Sequence, residues 1–165
     1  MESSSLVTEQ KKMLILKSSD GEYFELEESI AVQCGTIKNL VEDDFSHIPL
    51  PNVDAKTLRK IIEYMKKHAQ KNDSNEEEIK DFDEKFVQGT FNDVYELLHA
   101  ANYLHNSGLM DLLCQSIADR IKDKSVKAVR EIFNVTNDYT PEEEAKVRME
   151  HLWAHEGGEI DESLD

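Results

Sequence analysis

The sequence has few of the features that mark membrane and secreted proteins. Its 165 residues contain no apolar run approaching the ~20 residues that a membrane helix needs. The opening stretch, MESSSLVTEQKK, lacks the apolar segment of a signal peptide, and we predict a short disordered leader over residues 1–11. We therefore expect neither secretion nor a membrane partner.

Positive charge is also scarce. The chain has 19 lysines and arginines against 35 aspartates and glutamates, which gives a formal net charge of -16. A surface this negative repels phosphate groups, so nucleic acid is not an expected partner. The charge suits a protein partner with a basic face, although acidic charge also serves solubility alone.

Cysteine is rare, and its two copies, Cys34 and Cys114, are far apart in the sequence. Each lies in an apolar helical pattern, which favours two buried free thiols in a reducing compartment. The predicted location is the nucleus and cytoplasm.

Motifs for catalysis or metal binding are missing as well. There is no glycine-rich phosphate loop, no G-x-S-x-G and no cysteine pair at zinc spacing. His151 and His155 lie one helical turn apart but lack the glutamate of H-E-x-x-H. We predict a protein that is not an enzyme, with no cofactor and no metal. An enzyme or metal-binding protein that uses this pair or the acidic segment below is the alternative.

The hydrophobic pattern indicates a small sheet followed by helices. Asp20-Gly21 stands between two short apolar segments, which is a strong signal of a β-hairpin. Pro49 and Pro51 lack a backbone donor, so their segment is predicted to be an extended edge. Residues spaced for one helical face then recur in several segments, among them Ile30–Val41, Leu58–Met65, Val94–Leu104 and Val126–Phe133.

Two further segments, residues 70–84 and Leu109–Ile121, have special features. Residues 70–84 carry seven acids and two lysines, and we predict a flexible acidic insert there. The apolar residues of Leu109–Ile121 spread over more than one face, which is typical of a helix shared between a core and a partner, or of one central to a core.

The last helical segment carries Trp153, the only tryptophan in the chain. Thr140, Pro141 and Glu143 are typical of a helix start with a capping box. Trp153 then lies on one face with Ala145, Met149 and Leu152. This stripe either closes the domain's own core or anchors a partner, since tryptophan is enriched at interface hot spots.

Four stretches, ILKSSDGEYFELEESIA, IPLPNV, AANYL with LMDLLCQSIADRIK, and FNVTNDYTPEEEAKVRMEHLW, together resemble the Skp-one family. These are the adaptor subunits of SCF (Skp–cullin–F-box) ubiquitin ligases, and the plant forms are the most similar. The resemblance implies an α+β BTB/POZ fold over 12–123, F-box-binding helices over 124–156 and an acidic tail over 157–165. It also implies two partners, cullin and F-box proteins, and an unfilled groove would allow the free chain to self-associate.

The resemblance also assigns residues to two surfaces. The cullin-binding set comprises Pro49, Leu50, Pro51, Asn52, Asn102 and Tyr103. The F-box-binding set comprises Leu113, Ile117, Ile121, Ile132, Phe133, Val135, Tyr139, Val147 and Trp153.

This sequence departs from the family pattern at a few positions. Asn106 stands where the family commonly has isoleucine or valine. Met149, Leu152 and His155 stand where plant members usually have a basic residue, glutamine and phenylalanine. A divergent scaffold that binds F-box proteins but no longer engages cullin is therefore the alternative to a complete adaptor.

Overall fold

The computed structural model describes residues 10–155 and 163–164. The described residues form a small three-stranded sheet and eight α-helices, as expected for the predicted α+β class. The chain divides into two compact units, the first ending at Cys114 and the second beginning at Gln115. Most of the predicted leader and of the predicted tail, together with Glu156, lies outside the described residues.

The predicted hairpin is confirmed. Strands β1 (Met13–Lys17) and β2 (Tyr23–Glu27) pair in antiparallel register, with Lys17 opposite Tyr23. The connection is longer than a two-residue turn, and of its Asp-Gly pair only Gly21 has a positive φ, 88°. We name residues 18–22 the hairpin loop.

The predicted extended edge is also present. Strand β3 (His47–Pro49) runs parallel to β1 in the order β2-β1-β3. It lies at the edge of the sheet, where a proline without a backbone donor disturbs no central ladder. Ile48 is buried and its neighbours on the strand are exposed.

Six helices begin in the first unit: α1 (Glu28–Ala31), α2 (Gly35–Glu42), α3 (Ala55–Ala69), α4 (Glu76–Phe86), α5 (Phe91–Leu104) and α6 (Ser107–Ile121). The unit boundary falls inside α6. The second unit adds α7 (Val126–Ile132), α8 (Pro141–Glu150) and a 3₁₀ turn over Leu152–His155. Within the described residues no helix is long and apolar enough to cross a membrane.

The core of the first unit follows the predicted apolar faces. The residues predicted to share a face of α3 are all buried, which confirms that helix: Leu58, Ile61, Ile62 and Met65. Fully buried side chains from the sheet and from the other helices complete this core: Leu14, Leu16, Leu26, Ile37, Ile48, Leu104, Leu109 and Leu113.

The segment Ile30–Val41 differs from its prediction, because it forms two short helices instead of one. Cys34 has an extended backbone conformation between them. The Gly35 amide then donates to the carbonyl of His105 at 3.1 Å, and a Cβ on Gly35 would lie 3.2 Å from the Cβ of His105. The break lets the chain pass close to the end of α5.

The predicted flexible insert needs a correction in its second half, where the chain forms α4. Ile79 of this helix is buried, and the Phe82 and Phe86 rings pack near His68 and Tyr64 of α3. His68 Nε2 lies 2.7 Å from Asp83 Oδ1, and Lys67 pairs with Glu78. These contacts with α3 stabilise a helix that has few apolar residues of its own.

The cysteine prediction is half right. Both thiols are free, but only Cys34 is buried, and burial raises its pKa to about 11. Cys114 is exposed, because the buried face of α6 comprises Leu109, Leu113 and Ile117 at steps of four. A residue directly after Leu113 points about 100° away from that face.

Asn106 is a buried polar residue at the junction of α5 and α6, with 3% of its surface exposed. Its side-chain oxygen accepts from the Leu109 amide at 3.1 Å, and its carbonyl accepts from the Met110 amide at 2.9 Å. Its side-chain nitrogen lies 3.8 Å from the sulfur of Cys34. Asn106 therefore caps α6, and its departure from the family pattern has an internal structural role.

This cap generates a stability prediction. Asn106→Ala removes the acceptor and leaves the buried Leu109 amide unpaired, so the free energy of unfolding is expected to fall by about 1–3 kcal/mol. Asn106→Ser is the matched control, because serine caps equally well and keeps an acceptor. Urea unfolding, analysed at a constant m-value, measures the free energy of unfolding of both variants. Equal midpoints for the alanine and serine variants would contradict the assignment.

Candidate partner-binding surfaces

The first candidate surface includes Pro49–Asn52, which begins at the last residue of β3. The Leu50 amide donates to the carbonyl of Lys17 at 2.8 Å, and the Leu50 side chain is buried. Pro49, Pro51 and Asn52 are exposed. The buried leucine thus fixes a short turn whose other three side chains face solvent.

The other predicted cullin-binding residues lie at the end of α5. Asn102 is exposed and Tyr103 is half-buried. The Thr36 hydroxyl donates to the carbonyl of Tyr103 at 2.9 Å. His105 closes the helix in the left-handed conformation (φ 52°), where the His105 and Asn106 amides bond back to carbonyls of the last turn. Neighbouring elements thus hold this segment as well.

The second candidate surface begins on α6. Leu113 is fully buried and Ile117 is 7% exposed, while Ile121 is half-buried. A buried side chain offers little area to a partner in this conformation. The role of Leu113 and Ile117 in F-box binding therefore stays a prediction, and Ile121 is the more accessible of the three.

The turn after α7 exposes further predicted residues. Asn134 takes the left-handed conformation (φ 53°), and the amides of Asn134 and Val135 bond to carbonyls of the last helical turn. This is the Schellman arrangement, in which asparagine is one of the few tolerated residues. It leaves Val135 57% exposed, next to the half-buried Ile132 and Phe133.

A polar network joins α7 to α8. The Arg130 guanidinium lies over the ring of Tyr139, 5.9 Å from its centre, and 3.7 Å from the carboxylate of Glu144. Glu144 also lies 3.6 Å from Arg148 and accepts from the Asn137 side chain at 3.3 Å. Tyr139 is held by this cation–π contact while 46% of its surface stays exposed.

Helix α8 begins as predicted. Thr140 Oγ1 accepts from the Glu143 amide at 3.2 Å, and Glu143 Oε2 accepts from the Thr140 amide at 3.0 Å. This reciprocal pair confirms the capping box, and Pro141 occupies the start of the helix. Val147, one of the predicted F-box-binding residues, is half-buried.

Trp153 lies beyond the end of α8, in the 3₁₀ turn. It is 73% exposed, and Met149 and Leu152 are also exposed. The hypothesis that this stripe closes the domain's own core is therefore wrong. The His151 ring meets the indole edge-on at 6.4 Å, whereas the His155 side chain lies outside the described part of the chain.

Several residues that shape these surfaces were missed by sequence reasoning. Asp20 and Thr36 hold backbone segments that are distant in sequence, and no local pattern marks such bonds. Arg130 lies on α7 and Glu144 on α8, and no spacing in the sequence predicted that they would pair. In the described residues no group of three or more histidine, cysteine, aspartate or glutamate side chains could hold a metal ion.

Comparisons with known proteins agree with this architecture. The family models described as "Skp1 family, tetramerisation domain" and "Skp1 family, dimerisation domain" match residues 12–70 and 107–154. SKP1-like protein 3 of Arabidopsis thaliana is 48% identical, over 91% of this chain and 100% of that protein. SKP1-like protein 11 of the same plant is 49% identical, over 88% and 98%. SKP1-like protein 1 of Oryza sativa subsp. japonica is 43% identical, over 89% and 97%.

The chain therefore belongs to the Skp1 family. The predicted resemblance is confirmed, and so is the POZ fold of the first unit with its small sheet and packed helices. Members of this family are adaptor subunits of SCF ubiquitin ligases.

The capping box of α8 generates the second prediction. Thr140→Ala removes the acceptor for the Glu143 amide and should destabilise the helix start by about 1 kcal/mol. We expect about fivefold faster hydrogen exchange at the amides of Glu143 and Glu144. Thr140→Ser keeps a hydroxyl acceptor and should exchange like the parent protein. Identical exchange in the alanine and serine variants would show that the box does not stabilise α8.

Proposed function

We propose that this chain is a non-catalytic adaptor that bridges a cullin scaffold and F-box substrate receptors in an SCF ubiquitin ligase, in the nucleus and cytoplasm. One observation carries the proposal. Of the ten large apolar side chains that are exposed in the described residues, seven lie in the second unit, which carries most of the predicted F-box-binding set: Val126, Val135, Tyr139, Met149, Leu152, Trp153 and Leu164.

Exposure of these side chains has a physical cost that a partner would relieve. Burying one tryptophan removes ~150–250 Å² from water, on the order of 4–6 kcal/mol as an upper bound. Trp153 is also poorly covered by its own chain, which is what a hot-spot side chain requires before its partner arrives. These exposed apolar side chains therefore support a protein ligand in preference to a small molecule.

The charge of the chain supports the same class of partner. With a net charge of -16, the molecule attracts proteins that present a basic face and repels polyanions. Such complementarity mainly raises the association rate and the specificity of docking. The exposed apolar side chains would then supply most of the affinity, because exposed ion pairs contribute little.

The mechanism of an adaptor needs no reacting side chain. One surface binds the scaffold and the other binds the receptor, so substrate and conjugating machinery stay in one assembly at high effective concentration. In this proposal the cullin surface comprises Pro49–Asn52 with Asn102 and Tyr103, and the F-box surface comprises the predicted F-box-binding set, of which Val135, Tyr139 and Trp153 are exposed. A separate surface for each partner is what allows both to bind at once.

The alternative, a scaffold that has lost cullin binding, was suggested by Asn106. Its side chain is buried and caps α6, so it does not belong to an exposed contact surface. The substitution thus gives no specific reason to abandon the complete adaptor.

Trp153 provides the test. Titration with a tryptophan-free F-box domain should change the indole emission in a saturable way, since binding would transfer the exposed ring out of water. Trp153→Ala should weaken F-box binding by about 2 kcal/mol or more, which is about 30-fold in Kd. Cullin binding should be nearly unchanged.

Tyr23→Ala is the matched control for this test. Tyr23 is an exposed aromatic residue on β2 of the first unit, outside both predicted surfaces. Its loss should leave F-box affinity within threefold of the parent value. Equal losses of F-box and cullin binding in Trp153→Ala, or no emission change with F-box binding absent by calorimetry, would overturn the proposal.

A further inference from the structure

The turn that contains Pro49–Asn52 depends on the hairpin loop. The Leu50 amide donates to Lys17 at the start of the turn, and the Ser19 amide donates to the carbonyl of Val53 at its end, at 2.8 Å each. Asp20 Oδ1 then accepts from the Ala55 amide at 2.9 Å. The end of β1 thus holds this segment at its start, and the hairpin loop holds it at its end.

Two prolines make this external support necessary. Pro49 and Pro51 have no backbone N–H, so the turn can form few hydrogen bonds of its own. Within it, the Val53 amide donates to the carbonyl of Leu50 at 3.2 Å. A segment with so few internal donors keeps one conformation only when its neighbours restrain it.

We propose that Asp20 is a positioning residue for cullin binding: its carboxylate, held by Ser18, fixes the turn Pro49–Val53 in the conformation that the cullin recognises. The proposal rests on the adaptor function and names a residue outside the predicted contact set. Asp20 acts through the Ala55 amide and not through contact with the partner.

The carboxylate is itself well oriented. The Ser18 hydroxyl donates to Asp20 Oδ1 at 2.6 Å and accepts from the Glu22 amide at 3.0 Å. Because Ser18 is buried, breaking these hydrogen bonds would leave its hydroxyl without those partners inside the protein. The bond from Ser18, followed by that from Ala55, lowers the pKa of Asp20 below its usual value.

Helix α3 uses a second carboxylate for a different purpose. Asp54 accepts from the Thr57 amide at 2.7 Å and caps the helix in the usual way. Asp20 instead takes the amide of Ala55, the first residue of α3, from outside the helix. The start of α3 would therefore form without the Asp20 side chain, while its segment would keep only the Ser19–Val53 bond to the hairpin loop.

The experiment measures the affinity of the full chain for the N-terminal region of a cullin and for an F-box domain. Asp20→Ala should weaken cullin binding about tenfold, because binding must then order the turn. Asp20→Asn keeps an oxygen acceptor and an equally good hairpin pair, so its cullin affinity should stay within threefold. F-box affinity should be unchanged in both variants.

Two further variants make the result decisive. Thr90→Ala removes the cap of α5 at the end of that helix remote from Asn102 and Tyr103, and it serves as a control for a general loss of stability. It should keep cullin affinity. Ser18→Ala frees the Asp20 carboxylate and should weaken cullin binding about threefold, so the inference is testable even if Asp20→Ala does not fold.

The outcomes separate the two proposals. Normal cullin binding by both Asp20→Ala and Ser18→Ala, or equal losses in Asp20→Ala and Thr90→Ala, would overturn the positioning role alone. An Asp20→Asn variant as weak as Asp20→Ala would also overturn it, since the acceptor is retained. A parent chain that binds the F-box domain but not the cullin would overturn the adaptor function together with the inference.

Discussion

The hydrogen bonds of the buried Asn106 side chain determine where helix α6 begins. His105 ends α5 in a left-handed conformation, and Asn106 starts the next helix directly after it. Gly35 comes close to the same junction, so α2, α5 and α6 all meet there. The helix that this cap begins carries residues of both compact units, among them the predicted residues Leu113, Ile117 and Ile121.

The residues proposed to bind partners lie mainly on turns and helix ends. Their backbones are restrained by side chains from elsewhere: Thr36 bonds to Tyr103, Asp20 to the chain after Val53, and Arg130 packs on Tyr139. Restrained segments lose less conformational entropy when a partner binds. The restraint of these backbones therefore agrees with surfaces that have their shape before a partner binds.

Local signals were sufficient to predict much of this fold. The hairpin, the apolar face of α3 and the capping box of α8 depend on residues a few positions apart, and all were correct. Helix α4 was missed because it depends on packing against Tyr64 and His68, which are remote in sequence from its centre. The exposure of Cys114 was missed because periodicity does not say which of two apolar faces is buried.

The surfaces were less predictable than the fold. Resemblance to the family named the residues, but it did not distinguish the fully buried Leu113 from the exposed Trp153. That difference depends on the complete packing of each side chain. The bond between Asp20 and Ala55 joins residues that no short motif connects, and only the folded chain brings them together.

The central claim is that one chain presents two independent surfaces that are occupied together. Sedimentation velocity of the chain mixed with an F-box domain and the N-terminal region of a cullin tests it directly. The account predicts a single 1:1:1 complex, with the affinity for the F-box domain unchanged by saturating cullin. Displacement of one partner by the other would show a shared surface and would contradict the account.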